Sequence, residues 1–321
     1  MGIGKYIKVI GRGKDGARSL SREQAADLFG QVLDGTVTDL EIGGFCLAMR
    51  IKGETPQEMA GFLDATHARL NLVPDPATAP SPVTASPDTV AQPTSHARPV
   101  IVIPSYNGAR KLPVLTPLLA LLLAREGLPV LLHGTATEST RVYTSKVLLA
   151  LGVRAQTAIT TIANGEIAFA PTDILCAGLQ RLLDVRRVVG LRNPAHSVVK
   201  LMNPCAGRSL IVSSYTHPEY AVSMAATFEL MQSNAMLLRG TEGEAVADPR
   251  RMPQMDGFVA GRRVVLQEAQ TGTLASLPDL PKEFDAESTA AYIRQVMAGT
   301  NPVPPSIARQ VEHILRLSGQ L

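Results

Sequence analysis

The sequence predicts an α/β fold: a small N-terminal helical domain, then a larger α/β domain built on a central, mostly parallel sheet. Three observations lead there. Residues 19–70 carry helix caps and apolar residues at helical spacing. The stretch Pro99–Glu126, PVIVIPSYNGARKLPVLTPLLALLLARE, reads as a short buried strand, an irregular loop and a helix. From Pro99 onward strand and helix patterns alternate, which calls for a sheet with helices on its faces.

Residues 1–22 hold Lys5, Lys8, Arg12, Lys14, Arg18 and Arg22 against one acid, Asp15, and read as a flexible basic segment. Gly11-Arg12-Gly13-Lys14 lacks the spacing of a phosphate-binding loop and has no strand–helix context. A first helix opens at Ser21, where Ser21 and Gln24 make a capping box. Ala25, Leu28, Phe29 and Val32 supply its apolar face, and Gly35 ends it. A second helix follows over Leu40–Ile51, with Gly43 and Gly44 expected to permit close helix contact. The third starts at Thr55-Pro56, cap and first position, and runs to Leu70. Residues 1–74 thus form a helical bundle. Residues 75–98 are rich in Pro, Ala, Ser and Thr, and are expected to be an extended, mobile linker.

The α/β domain spans 99–321. Val100–Ile103 is a β-branched run closed by Pro104, as in a strand covered on both faces. Thr116 is expected as the N-cap of the next helix, with Pro117 at its first position. A loop between strand and helix is a ready anion site, because free N–H groups and the helix dipole point at one spot. This loop, Ser105-Tyr106-Asn107-Gly108-Ala109-Arg110-Lys111, has one glycine and two adjacent cations. It is therefore expected to hold phosphate by side-chain charge, not by bare backbone. A strand at Pro129–His133, a Gly134-Thr135 turn and a helix over Arg141–Leu151 come next. Ala170–Val188 reads as helix, Leu210–Ser213 and Arg263–Glu268 as strands, and Asp285–Met297 and Ser306–Leu317 as closing helices.

With 45% hydrophobic and 18% charged residues, the 321-residue chain can build a substantial core, as one large domain or two ordinary ones. The net charge of +3 says little, but its distribution is uneven. Residues 1–22 carry about +5 and residues 98–208 about +8, leaving the rest near −10, so a basic and an acidic surface are expected. Cys46, Cys176 and Cys205 lie far apart, which argues against a disulfide framework or zinc site and for a reducing cytoplasm. The N-terminus lacks the apolar core of a signal peptide, and the longest apolar run, near Leu118–Ala124, cannot span a bilayer. A cytoplasmic protein without membrane attachment is expected.

Ser19–Leu70, including LDGTVTDLEIGGFCLAMRIKGETPQEMAGFL, closely resembles the helical domain of anthranilate phosphoribosyltransferases and the related pyrimidine nucleoside phosphorylases of glycosyltransferase family 3. The later α/β region is similar as well. The resemblance implies a helical domain joined to a larger α/β domain, a stretch near 170–190 returning to the helical part, and a homodimer formed through the helical domain. It also marks the old phosphate and substrate cleft at Ser105, Asn107, Gly108, Thr116, His133, Gly134 and Arg186. Several family motifs are altered there. The pyrophosphate loop G-T-G-G-D is replaced by Ser105-Tyr106-Asn107-Gly108-Ala109, N-x-S-T by Val114-Leu115-Thr116-Pro117, and K-H-G-N by Leu132-His133-Gly134-Thr135. The F-A-P motif survives as Phe169-Ala170-Pro171, and Arg186 matches an arginine that meets the aromatic carboxylate in the family. The adjacent Asp-Glu pair that holds magnesium has no counterpart near Arg239–Val246. Only the separated Glu242 and Glu244 stand there, so no metal and no cofactor are expected.

These replacements, with the IGRGK start and the RGTEGEAVADPRR segment, resemble the YbiB-type branch of the family, whose members look like the transferase but bind nucleic acid without known catalysis. The first reading is accordingly a non-catalytic homodimer that binds DNA or RNA through phosphates, without sequence specificity and with no catalytic residue. Arg110, Lys111, Arg141, Lys146, Arg192, Lys200 and Arg208 would meet phosphates. Arg12, Lys14 and Arg18 would extend the groove, as would Arg239, Arg250 and Arg251. With no Trp and 4% aromatics, stacking platforms are scarce. The alternative is a phosphoribosyltransferase with an altered substrate, centred on His133. A third is a small-molecule sensor with Asn107 and Arg186 as contacts.

Overall fold

The computed structural model describes residues 2–75, 98–273 and 278–321, so nearly all of the expected linker lies outside the described residues. Five helices come first: α1 (Gly4–Ile10), α2 (Gly13–Gly16), α3 (Arg22–Asp34), α4 (Asp39–Lys52) and α5 (Pro56–His67). From residue 100 strands and helices alternate as β1 (Val100–Pro104), α6 (Thr116–Arg125), β2 (Val130–Gly134), α7 (Thr144–Ala150) and β3 (Ile167–Pro171). Next come α8 (Thr172–Leu175), α9 (Ala177–Val189), α10 (Ala195–Leu201), β4 (Ser209–Tyr215), α11 (Pro218–Leu230) and β5 (Ala235–Thr241). The chain ends with β6 (Glu244–Ala247), β7 (Met255–Val259), β8 (Arg262–Gln267), α12 (Ala286–Met297) and α13 (Pro305–Ser318).

The strands form one sheet in the order β3-β2-β1-β4-β5-β7-β8, with β6 beside β5. The five strands from β3 to β5 are parallel, and β6, β7 and β8 are antiparallel additions. β1 lies between β2 and β4, and its side chains alternate between two cores. Val100 and Val102 join the core shared with the N-terminal helices, whereas Ile101 and Ile103 join the one under α6, α7, α12 and α13. Burial on both faces explains why the strand reads as an unbroken apolar run.

The N-terminal helices begin with three capping boxes, Ser21/Gln24, Thr38/Glu41 and Thr55/Glu58. Each satisfies two otherwise orphaned N–H groups. Their centre is Phe29, Phe45 and Phe62, with Phe29 and Phe62 stacked at 4.7 Å. Glu58 is fully buried yet well met, taking the N–H groups of Leu20 and Thr55 and pairing with Lys52 at 2.6 Å. α9 returns from the α/β part to pack on α3. A Cβ at Gly178 would stand 2.1 Å from the Leu33 carbonyl oxygen, so the approach needs glycine.

Several expectations change. Residues 4–10 and 13–16 are helical, not a flexible segment, because Ile3, Tyr6 and Ile10 share one buried face behind the exposed cations. The 170–188 helix is split: Ile167–Pro171 is a strand beside β2, and Cys176 breaks the chain into α8 and α9. The helix expected from Arg141 starts at Thr144, since Val142 is held to Ala109 by a β-bridge. Close helix contact falls at Gly61, whose Cβ would lie 2.2 Å from the Arg22 oxygen, not at Gly43 or Gly44. Thr116 is already inside α6 with Leu115 as its cap, because its hydroxyl finds a buried carboxylate instead. Among the described residues no helix is long and apolar enough to cross a membrane.

Candidate functional site

In a parallel sheet the loops after the strands gather at one edge, where ligands of α/β proteins bind. Here that edge collects the loops after β1, β2, β4 and β5. The loop after β1 does not await an external phosphate. Its donors already converge on two carboxylates of the Glu242-Gly243-Glu244 turn between β5 and β6. Glu244, 1% exposed, accepts the N–H groups of Asn107 at 2.8 Å and Gly108 at 2.7 Å on Oε1. Its Oε2 accepts the hydroxyls of Ser105 and, at 3.2 Å, Thr116. Glu242 Oε2 accepts three successive N–H groups, from Arg110 at 2.8 Å, Lys111 at 3.0 Å and Leu112 at 3.2 Å.

Successive backbone donors form an anion-binding concavity. In this chain its own side chains supply the anion. The fit is close. Asn107 Nδ2 donates to the Glu242 carbonyl, and a Cβ at Gly243 would lie 1.7 Å from that nitrogen. Glu242 and Gly243 adopt left-handed φ of 53° and 89°, which turns both carboxylates toward the loop. The expectation that phosphate is held here by side-chain charge is thus corrected: Arg110 and Lys111 point outward and exposed, while their amides serve Glu242.

The magnesium that this fold would use with a diphosphate does not fit these groups. All the oxygens of Glu244 and one of Glu242 are committed to N–H and O–H donors, which a cation would have to displace. Among the described residues no group of three or more His, Cys, Asp or Glu side chains is placed to hold a metal ion.

Beside the filled loop lies a cluster of cations. Lys200 Nζ donates to the Gly243 carbonyl at 2.8 Å and the Ser214 carbonyl at 3.2 Å, bracing the turn from the other side. Burial pulls its pKa down to about 8, against the opposing charge of Glu244 and with that of Arg192. Burial and then the charges of Arg186 and Arg141 also lower Arg192, so these cations share one neighbourhood. Arg141 and Arg186 both pair with Glu138, which leaves one net positive charge among the three. Arg192 makes no ion pair among the described residues. A cavity of about 500 Å³ opens here between the N-terminal helices and the sheet edge, lined among others by Arg50, Arg192, His196, Lys200, His217 and Tyr220.

The remaining sequence candidates divide. Lys146 is exposed on α7, whose first residue, Thr144, bonds Ser105, so it flanks the loop. Arg239 is exposed at the end of β5 opposite Tyr215, on the same sheet edge. Arg208 is a correction: it precedes β4, at the opposite edge of the sheet, and bonds the Leu321 carbonyl. Arg250 is paired with Asp248, and Arg251 bonds the Gln270 carbonyl. Arg12 and Arg18 fold back on carbonyls of their own segment, beside α4. The Lys14 side chain lies outside the described residues. Within the old cleft, His133 is fully buried, and burial pushes its pKa down to about 3. Its Nδ1 meets the Tyr106 hydroxyl at 2.8 Å, and His133 does not line the cavity. A Cβ at Gly134 would lie 2.0 Å from the Ser105 carbonyl oxygen, so that glycine serves packing. The sequence reading missed the internal role of Glu242 and Glu244 and the cavity side chains His196, His217 and Tyr220. The T-E-G-E spacing was the available signal for the first.

The helical-bundle domain of the glycosyl transferase family matches residues 5–69. The Escherichia coli protein YbiB, described as uncharacterized, is 38% identical over 98% of this chain and 94% of its own. Anthranilate phosphoribosyltransferase of Methanosarcina acetivorans is 29% identical, over 74% of this chain and 60% of its own. Among solved structures, the anthranilate phosphoribosyltransferase of Thermus thermophilus superposes with a TM-score of 0.68 at 21% identity, covering 95% of this chain and 85% of that one. The Saccharomyces cerevisiae enzyme in complex with PRPP and Mg gives 0.64 at 14%, covering 99% and 88%. At those identities the likeness shows the fold.

Proposed function

From the premise that the chain belongs to the family of the YbiB protein, on an anthranilate phosphoribosyltransferase-like fold, we propose that it is a non-catalytic protein binding DNA or RNA through phosphates. The observation that carries this is the occupied loop. The amides and hydroxyls that would cradle a diphosphate are spent on Glu242 and Glu244, so a phosphoribosyl donor has no seat at the loop. The neighbouring cations support a positive surface: Arg192 and Lys200 line the cavity, and Arg110, Lys111, Lys146 and Arg239 are exposed on the elements at the same sheet edge. Such a surface suits a polyanion, whose affinity comes from counterion release. Leu40, Leu47 and Ile51, exposed at helical spacing along α4, support a homodimer through the helical part.

The test is binding of a fluorescent oligonucleotide to Arg192→Glu and Arg208→Glu variants. The proposal expects the first to weaken binding by about ten-fold and to flatten the salt dependence, and the second, at the far sheet edge, to change neither. Equal losses in both would count against it. The cavity also supports a second reading, a small-molecule sensor, for which saturable binding of a mononucleotide in high salt would speak.

A further inference from the structure

The cation cluster contains an acid of its own. Glu138, on the loop between β2 and α7, accepts from Arg186 on Oε1 and from Arg141 Nε at 3.1 Å on Oε2. Arg192 feels the charges of all three groups. A guanidinium offers five N–H donors. Arg141 spends one on Glu138, and Arg186 spends one there and one on the Thr137 hydroxyl at 3.4 Å. Most donors of the pair therefore meet no protein acceptor among the described residues. Burial works against the charge of Glu138, yet hydrogen bonds from Arg141 and Arg186 hold its pKa below the usual carboxylate range. One permanent negative charge thus answers two positive ones.

The loop after β1 is also filled from within, and burial separates the two cases. Glu244 is 1% exposed and answers four donors, so nothing displaces it readily. The Glu138 side chain is 25% exposed, and those of Arg141 and Arg186 are 12% and 17% exposed. An ion pair that water reaches is weak and screened by salt. We propose that Glu138 is an exchangeable internal competitor: it holds Arg141 and Arg186 in the free protein, and a backbone phosphate of a bound strand displaces it. This rests on the nucleic-acid reading above and adds its control, since a residue of the site itself holds the affinity down. Phosphate accepts the same forked donors as a carboxylate, so the arginines are paired in both states. The exchange needs no movement of the backbone. The N–H groups of Thr137 and Glu138 stay on the Tyr143 hydroxyl, at 3.1 and 2.8 Å, while the carboxylate turns out to water.

The experiment titrates wild type, Glu138→Gln and Glu312→Gln with a labelled oligothymidylate over a salt series. Glutamine keeps the shape and an acceptor oxygen but loses the charge. Glu312, paired with Arg309 on α13 against the other face of the sheet, controls for the change in net charge. The inference expects Glu138→Gln to bind about five-fold more tightly near 0.1 M salt, with a slope steeper by about 0.7, one further phosphate engaged. It expects Glu312→Gln to stay within about two-fold of wild type, because salt screens distant charges. Adding Arg186→Gln to Glu138→Gln should cancel the gain. Urea midpoints check folding. If Glu138→Gln does not fold, Glu138→Asp carries the test: its carboxylate is drawn back by one methylene, and it should show a smaller gain, with no gain overturning the inference. Unchanged or weaker binding by folded Glu138→Gln would overturn the competitor and leave phosphate binding intact. An equal gain in Glu312→Gln would overturn it too. No binding by wild type or any variant would overturn the parent reading as well.

Discussion

Replacing Glu244 with alanine tests whether the loop is an anion site filled from within. The side chain is 1% exposed and accepts two backbone N–H groups and two hydroxyls. Its charge also favours protonated Lys200. Truncation leaves those donors buried, and each unmet donor costs about 1–3 kcal/mol. The hydroxyls can turn to other partners, so the two amides dominate and the loss should be about 3–5 kcal/mol, the range for breaking a buried charged network. Glu244→Gln keeps one oxygen for the amides and offers an NH₂ to the hydroxyls, so it should lose only about 1–2 kcal/mol. The distinguishing assay is urea unfolding of wild type and Glu244→Ala with and without inorganic pyrophosphate. A diphosphate that refills the vacated donors stabilises the variant by about 2.7 kcal/mol at a hundred times its dissociation constant. Wild type gains less, having only its outer cations to offer. An alanine variant as stable as wild type, or equal gains from pyrophosphate in both, would refute the reasoning.

Other perturbations are expected to read out as follows. Glu58→Ala removes the buried partner of Lys52 and the acceptor for Leu20 and Thr55, and should cost about 3 kcal/mol in urea unfolding. His133 and His196 are each pushed by burial down to about 3, while histidine in the unfolded chain takes its proton near pH 6.5. Between those values the unfolded chain holds more protons, so stability is complete above about pH 6.5 and falls as the pH drops, by up to about 1.4 kcal/mol per unit for each histidine. Urea midpoints across that range should show the slope, and His133→Phe should make it shallower. Lys200, with its pKa drawn down to about 8, loses its charge as the pH rises through that value. Oligonucleotide affinity should fall over the same range in wild type, and Lys200→Met should bind more weakly at neutral pH and show no such step.

Much of the fold was legible because local signals agreed with tertiary demands. The Ser21/Gln24 box and the Thr55-Pro56 start sit where the helices begin, and the run Val100–Ile103 is the central strand. Where local and tertiary signals conflicted, the tertiary ones won. Exposed lysines hid the buried face of α1, and the hydroxyl of Thr116, a good cap in isolation, went to Glu244 because a charge-assisted bond is stronger. The site was legible only as a list of cations. Arg192 and Lys200 meet in one cavity, but Arg208 has the same composition signal and lies at the other edge of the sheet, which only strand direction decides. Glu242 and Glu244 were read as poor metal ligands, because their partners are backbone amides more than a hundred residues earlier, and amides leave no trace in a sequence.

The central claim is that an internal anion has replaced the diphosphate and left a basic cleft for a polymer. Titrating wild type with a labelled single strand over a salt series, beside an assay of pyrophosphate release from phosphoribosyl pyrophosphate, tests it most directly. The account predicts a straight line of log affinity against log salt, with a slope of about −0.7 for each phosphate engaged, and no pyrophosphate released. Affinity indifferent to salt, or turnover of the phosphoribosyl donor, would contradict it.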